Sequence, residues 1–227
     1  GADILDIGGE STRPGAAPLS PETEMARVIP VIQALAGDGA LVSVDTRRAS
    51  VMRAALEAGA RIVNDVTALT GDAGSLAVVR DSGAAVVLMH MLGDPQTMQV
   101  NPSYADVVRD VSAYLAERVQ ACRAAGIAAE RIAVDPGIGF GKTVEHNLAL
   151  LAGTDRLLGL GVAVLVGASR KSFIGKLSRG EPAAERVAGS VAAALAAISR
   201  GGHIVRVHDV AATRQALSVW SAVAALD

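Results

Sequence analysis

Aromatic side chains are scarce in this chain: one Trp, two Tyr and two Phe make up 2% of its 227 residues. The core must therefore be aliphatic, built from the alanine, valine, leucine and isoleucine that dominate the 51% hydrophobic fraction. Cysteine is almost missing as well. The single Cys122 excludes an internal disulfide and fits a reducing compartment, so a cytoplasmic protein is expected. Charge of one sign is not in excess either, since 21 Lys and Arg stand against 23 Asp and Glu for a formal net charge of -2. That leaves no electrostatic footprint for nucleic acid and no basic block for a membrane surface, so any anionic ligand must be held by a local cluster. No apolar run reaches the roughly 18 uncharged residues of a spanning helix, and no signal peptide is visible.

Several chemical signatures are also absent. His90, His146, His203 and His208 show neither an H-x-x-x-H nor a Cys/His spacing, so zinc is not expected. His90 and His203 lie in or beside apolar runs and read as core or rim residues. No G-x-S-x-G elbow occurs, which leaves covalent catalysis without a candidate nucleophile. The glycine-dense stretch Asp135-Pro136-Gly137-Ile138-Gly139-Phe140-Gly141-Lys142 invites a nucleotide reading and fails it. A phosphate loop would need glycine where Pro136 stands, and the glycines run G-x-G-x-G, not G-x-G-x-x-G. What survives is a carboxylate at the end of a short apolar run, on a turn that lets backbone approach a ligand closely.

The chain does have a repeating alternation. Short β-prone runs occur at Ile4 to Ile7, Leu41 to Val44, Arg61 to Val63, Ala85 to Met89, Ile132 to Val134, Val162 to Val166 and Ile204 to Val207. Most are continuously apolar, as strands buried on both faces should be. Helix-period segments separate them. The clearest starts with Ser20 as N-cap and Pro21 in the first turn, with a kink expected at Pro30, and places Met25, Val28, Ile29, Ile32 and Leu35 on one face. Others are expected from about Arg47 to Ala58, from about Tyr104 to Ala125, and from about Ala183 to Arg200, each stopped by glycine.

Strict alternation implies right-handed parallel crossovers, in an open sheet or a closed barrel. An open sheet concentrates its site at one switch point, whereas here nearly every run ends in polar chemistry: Asp45, Asn64 and Asp65, His90, Asp135, Ser169 to Lys171, and Arg206 with His208. A (β/α)8 barrel gathers all such loops around one mouth. An α/β chain of this TIM-barrel class is expected, as a single domain over residues 1–227. Seven runs are one short of eight, and 227 residues fall below the roughly 250 typical of the fold, so the first β/α unit is expected to precede Gly1.

Asp45 and Asp135 can each accept two parallel hydrogen bonds from an amidine-like edge, and Asn64 both donates and accepts. Together they suit a flat, nitrogen-rich ring. In the competing reading, Asp45 caps the helix after Thr46 and Asp135 shapes the Pro-Gly turn. The run Ser169-Arg170-Lys171-Ser172 follows Gly167 and opens a helical region, where backbone N–H groups and cationic side chains can hold an anion. Arg206 and His208 leave their strand on the same side of the pleat, and Arg13 on the Gly8 to Gly15 loop adds a third positive group. Any one of these could instead belong to a solvated surface patch.

Seven ordered motifs, Gly8-Gly9-Glu10-Ser11-Thr12-Arg13-Pro14-Gly15, Ser43-Val44-Asp45-Thr46, Asn64-Asp65, Leu88-Met89-His90-Met91, Asp135 to Lys142, Ser169 to Ser172 and Arg206-Val207-His208, together resemble the dihydropteroate synthase family. The resemblance covers essentially the whole chain. It implies a TIM barrel that condenses 6-hydroxymethyl-7,8-dihydropterin diphosphate with p-aminobenzoate, releasing pyrophosphate and forming 7,8-dihydropteroate by an SN1-like transfer. It implies pterin contacts from Asp45, Asn64, Asp135 and Lys171, with Met89, Phe140 and Gly167 lining the pocket, and diphosphate contacts from Thr12, Arg206 and His208. The p-aminobenzoate site, which sulfonamides also occupy, is implied near Arg13, Pro14, Phe140, Ser169 and Lys171. Asp45, Asp135, Lys171, Arg206 and His208 would carry the chemistry.

The resemblance further implies Mg2+. Its asparagine ligand belongs to an Asn-x-Thr-x-Asp-Ser-Phe loop that in the family lies ahead of the position of Gly1, so no metal ligand is assigned within this sequence. A homodimer is implied as well, with the alanine-rich stretch Val187 to Ile198 as its expected surface. Two other readings stay open. One is a folate-dependent methyltransferase domain of the same superfamily, handing a methyl group to a corrinoid. The other is a truncated barrel that binds pterin or sulfonamide-like ligands without turnover.

Overall fold

The structure is a computed structural model that describes residues 1–11, 18–93 and 97–226. Its strands are β1 (Leu5–Gly8), β2 (Val42–Asp45), β3 (Ile62–Asp65), β4 (Ala85–Met89), β5 (Ile132–Asp135), β6 (Ala163–Val166) and β7 (Ile204–Val205). They pair in chain order, and every pairing is parallel. The connections carry α1 (Pro21–Gly37), α2 (Ala49–Glu57), α3 (Ser75–Ser82), α4 (Val107–Ala124), α5 (Val144–Ala152), α6 (Thr154–Leu158), α7 (Ser172–Leu177), α8 (Val187–Ile198) and α9 (Val210–Ala224). None of the described helices is long and apolar enough to cross a membrane.

The strands are short and apolar on both faces, and alternation divides their side chains into two sets. Val42, Val44, Val63, Val86, Leu88, Ile132, Val134, Val164 and Val166 face the helices and form the main core with Val28, Ile32, Met52 and Leu115. The opposite parity makes a second, smaller cluster of Val87, Ala133 and Leu165, packed with Ile62, Ala163 and Ile204. The sheet curls around this inner set. Arg206, just beyond β7, bonds to Asp6 on β1 and to Asp45 on β2, which a flat sheet of this order would hold at opposite edges.

Local chemistry sets the helix ends. Ser20 caps α1 by accepting from the Thr23 N–H at 3.2 Å, and the helix continues through Pro30. Its Val28 and Ile32 are buried, with Met25, Ile29 and Leu35 packed against the same core. The helix expected from Arg47 starts at Ala49, whose N–H is taken by Asp72 Oδ2 at 3.0 Å. The one expected from Tyr104 starts at Val107, because Asp106 accepts from the Val108 and Arg109 N–H groups. The alanine-rich run divides into a 3-10 turn at Ala183–Glu185 and α8. The last strand stops at Val205, short of the expected Val207. Its neighbour β6 ends at Val166, so pairing finishes with a single Arg206 N–H to Val166 O bond at 3.1 Å.

Candidate active site

Side-chain parity selects the site. Asp45, Asn64, Met89, Asp135, Gly167 and Arg206 continue the inward-facing rows of their strands and lie at or near the C-terminal ends, and Asp6 shares that parity from within β1, one inward-facing row below Asp45. Their neighbours in sequence face the helices. The motif Asn64-Asp65 is thus split: Asn64 faces the lumen, while Asp65 is fully buried and accepts from Thr67 N, Thr67 Oγ1 and Leu69 N. Asp65 builds the turn after β3.

Asp45 does not cap α2, since Asp72 does so from a neighbouring loop. Its Oδ2 instead accepts from Arg206 Nη2 at 3.0 Å, with 16% of the side chain exposed. Burial, with the nearby Asp6 charge, pushes the Asp45 carboxyl up to about 7 despite the facing Arg206. Asp135 shapes the Pro-Gly turn, as its competing reading has it. Its Oδ1 accepts from the Gly137 N–H at 2.7 Å, which leaves Oδ2 for another donor. Burial raises this carboxyl too, opposed by Lys171 and by the Gly137 N–H.

The turn needs its glycine. Gly137 has φ +69°, and a Cβ there would lie 1.9 Å from the His90 carbonyl oxygen. Met89 is buried and pairs in register with Asp135. A Cβ on Gly167 would stand 3.6 Å from Asp135 Oδ2, so that glycine keeps the approach to the acid open.

Lys171 links two loops. It precedes α7, yet its Nζ reaches the Ile138 carbonyl of the β5 loop and sits 4.4 Å from the centroid of the Phe140 ring. Burial lowers its pKa to about 8, with Asp135 opposing. Ser169 Oγ accepts from the His208 N–H at 3.1 Å and meets His208 Nδ1 at 3.0 Å. Beside it, Arg170 forks onto Asp209 at 2.9 and 2.5 Å. The β6 and β7 loops are thereby held together.

Arg206 is engaged within the site, its Nε on Asp6 Oδ2 at 2.5 Å and its Nη2 on Asp45. Asn64 is buried and donates from Nδ2 to the same Asp6 oxygen at 3.1 Å. A groove of about 630 Å3 between β7 and β1 is lined by Asp6, Ser169, Lys171, Arg206 and His208. Among the described residues no group of three or more His, Cys, Asp or Glu is placed to hold a metal. Thr12, Arg13 and Pro14 lie outside the described residues.

Two residues of the site region escaped the sequence reading. Asp6 sits in an otherwise apolar run and belongs to none of the motifs, although its parity matches theirs. Lys142 closes the glycine motif and is only 4% exposed. Its Nζ contacts Phe140 O at 2.9 Å, His90 Nδ1 at 3.1 Å and His90 O at 3.4 Å, tying the end of β4 to the loop after β5. Burial lowers the Lys142 ammonium to about 7, and burial with the Lys142 charge lowers His90 to about 3. His90 is therefore a neutral partner inside the site wall. His203 accepts from the Val164 N–H and serves the strand, as expected for a rim residue.

Known proteins are similar to this chain in sequence and in fold. The family model for pterin binding enzyme matches residues 1–208. A dihydropteroate synthase of Neisseria meningitidis serogroup B is 54% identical over 226 residues, covering 98% of this chain and 79% of that protein. The crystal structure of Burkholderia cenocepacia dihydropteroate synthase complexed with 7,8-dihydropteroate superposes with a TM-score of 0.91 at 54% identity, covering 100% of this chain and 83% of that one. The Yersinia pestis dihydropteroate synthase, solved as a sulfonamide drug complex, gives a TM-score of 0.96 at 43% identity over 99% of this chain and 82% of that one. By family match, by identity over nearly its full length and by fold, the chain belongs to the dihydropteroate synthases of the pterin-binding enzyme family.

Proposed function

We propose that this chain forms the catalytic mouth of a dihydropteroate synthase, joining 6-hydroxymethyl-7,8-dihydropterin diphosphate to p-aminobenzoate with release of pyrophosphate. One observation carries the reading: two carboxylates with raised pKa, Asp45 and Asp135, share an inward-facing ring with Asn64, Lys171 and Arg206. A pterin ring offers N–H donors along one edge, which suits acceptor-only carboxylates. Asp45, Asn64, Asp135 and Lys171 bind that edge, and Met89, Phe140 and Gly167 form the walls.

The diphosphate lies toward Thr12, Arg206 and His208. Arg206 has Nε and Nη2 on carboxylates, which leaves Nη1 for a phosphate oxygen. Reaction begins as the C–O bond from the pterin methylene to the diphosphate breaks, with both electrons leaving on oxygen. Arg206 and His208 stabilise the negative charge that grows there, while Asp45 and Asp135 stabilise the positive charge left on the pterin methylene and ring. The amine of p-aminobenzoate, bound near Arg13, Pro14, Phe140, Ser169 and Lys171, then forms the C–N bond and releases a proton to water. Sulfonamides compete for that second site. No covalent nucleophile is needed.

The complete fold on this reading is a (β/α)8 barrel, formed as a single domain, with an eighth strand between β7 and β1. The support is the groove between those two strands and the reach of Arg206 across it. Magnesium is the ion the resemblance implies. The described residues do not build a site for it, because Asp6 and Asp45 are already engaged by Arg206 and no third ligand joins them. A cytoplasmic homodimer completes the proposal, supported by the lone buried Cys122 and by the small residues of α8.

The test is pyrophosphate release in the presence of both substrates. Stoichiometric pyrophosphate and dihydropteroate are expected, and dihydropteroate should not form without the arylamine. Pterin binding without pyrophosphate release would favour a non-catalytic binder instead.

A further inference from the structure

Asp6 lies outside every motif from which the site was read, yet it touches two residues assigned to the substrate. It faces the lumen from β1, opposite Ser43 in the register, with 16% of its side chain exposed. A single carboxylate oxygen, Oδ2, accepts from both Asn64 Nδ2 at 3.1 Å and Arg206 Nε at 2.5 Å. The other oxygen, Oδ1, is buried with no hydrogen-bond partner among the described residues. Burying a carboxylate with half of its acceptor capacity unused is costly. The lumen below it is lined by Ile62, Val87, Ala133, Leu165 and Ile204, so packing alone would favour an aliphatic side chain at this position.

What the charge accomplishes is orientation. An Asn amide has nearly the same shape either way round but opposite chemistry at its two ends. Because a carboxylate only accepts, Asn64 must turn its NH2 group toward Asp6, which reserves its carbonyl oxygen for an N–H donor on the bound ring. The guanidinium of Arg206 is a rigid plane, so fixing Nε on Asp6 and Nη2 on Asp45 sets the direction of the remaining Nη1.

We propose that Asp6 is a positioning residue that, through one oxygen, orients Asn64 toward the pterin ring and Arg206 toward the diphosphate. The two halves of one substrate are thereby read in register. The inference rests on pterin diphosphate being the substrate.

Asp6→Asn keeps the volume but removes the charge. Its amide can present either its oxygen or its NH2 to Asn64 and Arg206, so the orientation is no longer enforced and each remaining bond loses its charge assistance. The dissociation constant of 6-hydroxymethylpterin, which lacks the diphosphate, should rise roughly tenfold to a hundredfold, the range for losing a charge-assisted hydrogen bond. The KM for pterin diphosphate should rise with it, while the KM for p-aminobenzoate stays unchanged. A double-mutant cycle then separates orientation from general damage: on the Asp6→Asn background, Asn64→Ala should cost little further pterin affinity. If Asp6→Asn does not fold by circular dichroism, Asp6→Ser is taken through the same cycle, since it keeps an acceptor without the charge. Should the unmodified protein neither bind pterin nor release pyrophosphate, the substrate assignment fails and the proposal falls with it. If the unmodified protein does both, while the variant keeps wild-type constants or the two losses simply add, the assignment stands and the role of Asp6 alone is overturned.

Discussion

At the residue scale, the site depends on groups whose charge is held near its switching point. Asp45 is pushed up to about 7 and Lys171 lowered to about 8, in each case chiefly by burial. The carboxylate form of Asp45 accepts from the pterin, so affinity should fall as pH drops through about 7 and Asp45 takes up a proton. The ammonium form of Lys171 donates, so affinity should fall again as pH rises through about 8 and the proton leaves. Pterin titrations across the neutral range should give a bell-shaped curve, and Asp45→Asn should remove its acid limb while leaving the alkaline one. A flat profile would contradict these assignments. Asp45 and Asp135 were legible in the sequence because each is a carboxylate ending an apolar run. Asp6 was not, because it sits inside such a run and only its parity gives it away.

At the scale of elements, the β1–α1 connection is tied down at its base. Arg48 Nη2 donates to Glu10 Oε1 at 2.8 Å and to the Leu19 carbonyl at 2.7 Å, and the Leu19 N–H returns to Glu10 Oε1 at 2.9 Å. Arg48 Nη1 also meets Glu24, which is 1% exposed and has one oxygen with no partner among the described residues. Arg48→Met leaves Glu24 as a buried, unpaired charge and should cost about 3–5 kcal/mol in stability. Thermal or urea unfolding measures it. The paired change Arg48→Met with Glu24→Leu should recover part of that loss, the remainder being the Arg48 bonds to Glu10 and the Leu19 carbonyl, and a loss with no recovery would show that the network acts otherwise. Strand positions were legible because runs apolar on both faces have few other uses. Helix starts were less so, since α2 is capped by Asp72 from the next connection, a long-range partner that no local pattern announces.

At the scale of the whole molecule, function requires strands distant in sequence to meet at one mouth. Asp45 comes from β2, Asp135 from β5, and Arg206 from beyond β7, 161 positions from the aspartate it bonds. Parallel order and fixed inward parity place them together, which is why a scattered set of polar residues could be read as one site. The chain spans about four-fifths of the relatives it matches, 79% of the Neisseria enzyme and 83% of the Burkholderia structure. The curl of the sheet was legible only indirectly, from the number of strands that end in polar chemistry.

The central claim is that this mouth reads the pterin and drives diphosphate departure, and Asp135 is where both tasks meet. The most direct measurement is kcat/KM for pterin diphosphate, followed by pyrophosphate release, in the wild type and in Asp135→Asn. Losing one pre-organised electrostatic partner should lower it by about 10²–10³-fold with the fold intact. An Asp135→Asn protein that turns over at the wild-type rate would contradict the account.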